Sequence, residues 1–256
     1  MIICITYKKN GAGTSKTETK DENEKVLSTT TENTTVNKKN GTTTTTVTTK
    51  NADKSSVSSK YVTDKDGNTT ITETIKNSDK TKTTVTGEIK ADGTGSKTTV
   101  TTDKKGNVLS TTKESVKISS KGTVTESSST VKADGTKEKS KTTIYTSGKV
   151  VVTNTFTDAD GNKTELKETV KPVKKGSTKV TLTKTDTTGS GKAVQSTEVK
   201  VSVTVSSTGK VKGSIIIPEA DGNEKKIKVN TSLKKLGANN ISEAIDSLFD
   251  KYVTNK

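Results

Sequence analysis

The sequence has no histidine and no tryptophan, and all 44 of its basic residues are lysine. Cysteine and methionine occur once each, proline twice, and aromatic residues make up 2%. Hydrophobic residues reach only 25%, where a domain normally carries about 45–50%. Val, Ile, Leu and Phe together come to about 19%, just under the rough 20% line below which disorder becomes the expectation. Each shortage excludes something. Without histidine there is no His-based triad, no Cys–His dyad and no His-ligated metal. A lone Cys4 excludes an internal disulfide framework and a cysteine-based zinc site. No stretch approaches the ~20 apolar residues of a membrane-spanning helix. A chain so poor in large side chains has few walls for a catalytic cleft, so a non-enzyme is expected, with no cofactor. Either much of the chain is disordered, or it folds into something thin.

The N-terminal run Met1-Ile2-Ile3-Cys4-Ile5 is apolar but short. It lacks the basic n-region, the ~7–15-residue apolar stretch and the cleavage site of a signal peptide. A lipid-attachment reading of Cys4 needs a small residue before it, and Ile3 is large. The expected reading is a start at an internal or truncated boundary.

What the chain does contain is threonine, 55 residues of it, and turn signals at a nearly fixed interval. Asn40-Gly41, Asp66-Gly67-Asn68, Asp92-Gly93, Lys105-Gly106-Asn107, Asp134-Gly135, Ser147-Gly148, Asp160-Gly161-Asn162 and Asp221-Gly222-Asn223 are hairpin-type dipeptides and tripeptides. Gly41, Gly67 and Gly93 are 26 apart, and Gly93 to Gly106 is 13. Gly122, Gly135, Gly148 and Gly161 keep the interval of 13. It loosens through Gly176, Gly191 and Gly209 and returns at Gly222. Asp53-Lys54 and Ser78-Asp79-Lys80 are polar turn candidates at the midpoints of the longer steps.

A unit of 13 is about ten residues of strand plus a short turn, which predicts an all-β array. The runs between turns alternate with period 2. Val199, Val201, Val203 and Val205 share one face, with Lys200, Ser202 and Thr204 on the other. Val150, Val152 and Phe156 share a face, Val180 and Leu182 another, and Ile227 and Val229 another. Thr is β-branched and suits a strand even when exposed. The expected fold is an elongated antiparallel β-meander, thin or single-layered, of some fourteen to sixteen strands about 33 Å long.

Three segments are expected. Residues 1–60, with the low-complexity run Thr42–Thr46, read as a weakly ordered or thin β extension. Residues 61–235 read as the repetitive meander, with any core in 141–233. Residues 236–256 read as a linker and an amphipathic capping helix. Asn240 with Glu243 makes a capping box, and Ile241, Ile245, Leu248, Phe249 and Tyr252 then fall on one face, predicting a helix from about 241 to 253.

Two segments read Asp-x-Asp-Gly-Asn: Asp64, Asp66, Asn68 and Asp158, Asp160, Asn162. Calcium loops begin this way, but their glutamate at position 12 is replaced by Ile75 and Thr169, so hairpin turns are expected. The net charge of +15 raises nucleic acid as a partner. Arg forks and aromatic stacking are missing, and Lys is interleaved with acids, as in Lys113-Glu114 and Lys137-Glu138-Lys139. Nucleic acid is therefore not expected, and cell-wall or host-surface polymers are the anticipated partners. Thr-x-Thr arrays such as Thr153-Thr155-Thr157 and Thr181-Thr183-Thr185 resemble ice-binding rows, but Lys and Glu interrupt them.

The segments Thr63–Ile75 and Phe156–Val170 resemble the Thr-rich repeats of large Gram-positive bacterial surface proteins, often found beside S-layer homology domains, and Gly213–Val229, with its Ile-Ile-Ile-Pro-Glu-Ala-Asp-Gly-Asn run, looks like the sequence that precedes those domains. The resemblance spans residues 60–235. In composition and terminal helix the chain also looks like the Lys-rich surface lipoproteins of spirochaetes, whose single-layer sheet leaves both faces wet. Both likenesses imply an extracellular, non-enzymatic structural or adhesive stalk or spacer. The alternatives are a ligand- or glycan-binding module of a surface or phage-fibre protein, and a disordered polycationic linker.

Overall fold

The computed structural model describes residues 2–8, 11–173, 176–188, 195–219 and 222–254. Gly191 and Asp221, both singled out as turn residues, lie outside the described residues. The chain is an antiparallel β-meander ending in one short helix. Its contacts divide it into two compact units: residues 1–117 with 128–133, and residues 118–127 with 134–256.

The first unit contains β1 (Ile2–Tyr7), β2 (Gly13–Lys20), β3 (Val26–Asn37), β4 (Thr42–Asn51), β5 (Ser56–Thr63), β6 (Thr69–Lys76), β7 (Lys82–Ile89), β8 (Gly95–Thr102) and β9 (Val108–Ile118, up to Lys117). Each pairs antiparallel with the next. β10 (Val124–Lys132) has residues in both units. The second unit continues with β11 (Lys137–Ile144), β12 (Val150–Thr157), β13 (Lys163–Val173), β14 (Ser177–Thr188), β15 (Gln195–Val205), β16 (Lys210–Pro218) and β17 (Glu224–Ser232), again paired in succession.

One turn explains the interval of 13. In Asp64–Asn68 the Gly67 N–H donates to the Asp64 carbonyl at 3.2 Å, and the Asp64 N–H donates to the Asn68 carbonyl at 2.9 Å. Gly67 sits at φ +85°, the left-handed conformation that closes a type I turn into a bulged hairpin. The same pattern recurs where there is no glycine. Glu24, Lys54 and Lys80 occupy the left-handed position at φ +62°, +71° and +69°. Lys54 and Lys80 are the midpoints of the 26-residue steps, so the period is 13 there too.

The Thr42–Thr46 run lies inside β4, paired on both sides by β3 and β5. Threonine pairs help to hold this unit. Thr30–Thr49, Thr63–Thr69 and Thr112–Thr130 share hydroxyl hydrogen bonds of 2.9, 2.9 and 2.8 Å. Among the first-unit residues whose burial is described, the one buried side chain is Ser59, 5% exposed. Its hydroxyl donates to the Glu73 carboxylate at 2.7 Å, between Val47 and Val85 on the flanking strands. Where other domains place a leucine, this one places a hydrogen bond.

The apolar core lies in the second unit. Val180, Val201, Val203, Val211 and Ile215 are at most 1% exposed, and the register lines them up on one face of β14–β16. That face is covered by α1 (Ile241–Phe249), through Ala244, Ile245 and Leu248. The predicted Asn240–Glu243 cap is present in a shifted form: the Asn240 side chain accepts from the Glu243 N–H at 3.0 Å, and the Glu243 carboxylate reaches one residue further back, accepting from the Asn239 N–H at 2.7 Å. The helix continues through a wider π-type turn, Asp250–Thr254. Full burial of each such side chain is worth about 1.5–3 kcal/mol, so this half of the chain carries most of the hydrophobic stabilisation.

Candidate binding faces

The acidic turns are built as turns. One Asp64 oxygen accepts the N–H groups of Asp66 and Asn68, both at 2.9 Å, and the other accepts the Asn68 amide at 2.8 Å. Asp158 repeats this with Asp160 and Asn162, and so does Asp103 with Lys105 and Asn107. The Asn side chain and then the turn backbone hold Asp64 below its ordinary pKa. These carboxylates serve the loop rather than converging on an ion. Among the described residues no group of three or more metal-ligating side chains comes together.

A shallow groove of about 250 Å³ lies over β6–β9 in the first unit. Gly95 lies in its lining, where a Cβ would meet the Glu88 carbonyl oxygen at 2.3 Å. Ile71, Ile89 and Val116 supply apolar lining, and the Lys97–Glu114 ion pair of 2.8 Å closes one side.

The opposite face of this unit is hydroxyl-rich. Thr72, Thr86 and Thr98 lie side by side on β6, β7 and β8, with Thr74 beside Thr84 in the next row. Lys60 and Lys113 bound the three-threonine row at its two ends.

The two faces of the second unit differ more. The helix side carries the core, with Glu168 at its margin. Glu168 pairs across to Val152 and Leu182. Burial, and then the charge of Asp246 on the helix, raise its pKa above the ordinary value. The other side is uncovered and cationic. On that side β11 presents Lys137, Lys139 and Lys141, and β13 presents Lys163, Lys167 and Lys171. β14 adds Lys179, β15 Lys200, β16 Lys210 and Lys212, and β17 Lys226 and Lys228. Its acidic residues on these strands are Glu165, Glu198 and Glu224. Glu198 pairs with Lys200 at 2.6 Å and Glu165 with Lys163 at 2.9 Å.

The sequence concealed this face. Lys137-Glu138-Lys139 alternates in sign along the chain, but a strand sends successive side chains to opposite faces. Glu138 therefore stands on the helix side and its two lysines on the other. Interleaving in one dimension becomes segregation in three. The signal was the parity of the lysines, readable only once the register of each pair is known.

Among the described residues no helix is long and apolar enough to cross a membrane. No family model, curated protein or solved structure matches the chain.

Proposed function

We propose that the chain is a non-enzymatic, extracellular structural and adhesive segment that spaces and displays parts of a cell-surface protein. The observation that carries this reading is the first unit, whose strands are joined by backbone ladders and hydroxyl pairs, with Ser59 the one buried side chain among its residues of described burial. Such a sheet presents its faces to solvent, where they are available for display. The many short hairpins, each closed by its own turn, give resistance to extension through hydrogen bonds rather than through a core. Lysine on exposed strands suppresses edge-to-edge association. The resemblance of the Thr-rich repeats and terminal helix to bacterial surface proteins supports the same setting.

Antibodies raised against the chain test the location. Labelling of intact cells of the organism that makes it is the expected result. Labelling only after permeabilisation overturns the reading. A second reading, a glycan-binding module, is favoured by one observation, the lysine face of the second unit.

A further inference from the structure

We infer that the uncovered face of β11–β17 binds a linear anionic polysaccharide lying across the strands. The first argument is spacing. Lys141, Lys167, Lys200 and Lys226 fall in one register row on alternate strands, β11, β13, β15 and β17. Adjacent strands are about 4.8 Å apart, so these charges recur every ~9.6 Å over ~29 Å. Thr153 and Thr183 fill the first two intervals. A row of fixed cations with hydroxyls between them matches a polymer that alternates anionic groups with sugar hydroxyls.

The second argument is charge distribution. A face that only needs wetting is served by mixed signs, as at Lys97–Glu114 in the first unit. Here Lys171 and Lys179 stand directly opposite each other, an arrangement that costs stability. Most of these lysines have no carboxylate within ion-pair distance among the described residues, so a polyanion supplies their missing countercharge.

The third argument separates the polymer classes. Duplex nucleic acid carries one charge per ~1.7 Å of axis and is read by arginine and aromatic side chains. This chain has no arginine, and the face has no aromatic residue on its described strands. Charges ~9.6 Å apart, with threonine in two of the three intervals and Ile216 in the third, suit a sparser, hydroxylated chain. The inference goes beyond the cell-surface reading. Failure to bind leaves that reading standing, because cell labelling tests it separately.

The test is equilibrium binding of the whole chain to immobilised heparin across a salt series. The row variant is Lys141→Gln, Lys167→Gln, Lys200→Gln and Lys226→Gln. The control removes the same charge from turns of the first unit: Lys65→Gln, Lys90→Gln, Lys104→Gln and Lys105→Gln. The row variant is expected to bind at least about tenfold more weakly, with the salt slope reduced by roughly one per lysine that met a polymer charge. The control is expected to change affinity less than about twofold. Lys→Arg at the same four row positions keeps the charge and is expected to retain binding, so a misfolded Gln variant does not obscure the outcome. Thr153→Val with Thr183→Val is expected to weaken heparin while leaving polyphosphate unchanged. Equal losses in row and control variants overturn the inference, as does tighter binding of single-stranded DNA through the same four lysines.

Discussion

The helix that covers the second unit is too short to stand alone. Isolated helices below about 12–15 residues are marginal in water, and α1 is a 9-residue segment. It is held by Ala244, Ile245 and Leu248 against the β14–β16 face. Leu248 is 0% exposed and sits in the same cluster as Val180, Val203 and Ile215. Leu248→Ala removes three heavy carbons from the middle of that contact, and a loss of this kind costs about 2.7–5 kcal/mol, the more the less the site collapses. A thin layer of one helix on one sheet relaxes more readily than a deep core, so about 3 kcal/mol is expected. With a Tm shift of about 2–4 °C per kcal/mol for a chain of this size, the transition of the second unit falls by roughly 6–12 °C. Hydrogen exchange followed by mass spectrometry localises the effect. Amides of β14–β16 and α1 are expected to lose protection, while those of β4–β7 keep theirs. A loss of less than about 0.5 kcal/mol, or equal deprotection of β4–β7, refutes the claim that this helix is the keystone of the apolar half.

Gly213→Ala tests the packing beneath the helix: its Cβ would meet the Ser202 carbonyl oxygen at 2.0 Å and the Val203 Cα at 2.7 Å. Because both obstacles are backbone, the β15–β16 pairing must shift, and chemical denaturation is expected to show a loss above about 2 kcal/mol. Replacing Lys54 or Lys80 with glycine relieves a left-handed conformation and is expected to stabilise by about 0.5–1 kcal/mol each; a loss of stability would sink the strain argument. Glu168 has a raised folded-state pKa from burial and from Asp246, so its ionisation is penalised in the native state. Its contribution to stability is lost as pH rises from the ordinary carboxylate value of about 4.3 through the raised one. Glu168→Gln is therefore expected to raise Tm at neutral pH and to gain little at pH about 4. Asp64, Asp103 and Asp158 have lowered values and act in the opposite direction, but they are common to both proteins and cancel in the difference. A gain independent of pH contradicts the assignment.

Much of the fold was readable because its rules are local. The Asp-x-Asp-Gly-Asn turns carry their own side-chain hydrogen bonds, and the Asn240–Glu243 cap lies within four residues. The helix expected over 241–253 begins at Ile241, as that cap requires. The expected core was broader than the one found. Residues 141–233 alternate throughout, yet Ile144 and Phe156 are 40% and 45% exposed, and full burial is confined to β14–β17 where α1 lies. Alternation marks which side chains share a face, but a face is buried only if something covers it.

The binding faces were the least legible part. Composition gave a net positive charge, and adjacent residues suggested a mixed and neutralised surface. Sequence alone determined the strands, the turns, the capping box and the shortage of core-forming side chains, because each depends on residues a few positions apart. Tertiary structure decided which face the helix covers and which lysines align, because both depend on register between strands. The period-2 pleat sends Glu138 to one side and Lys137 and Lys139 to the other, and the pairing of β11 with β12 and β13 carries that sorting across the sheet.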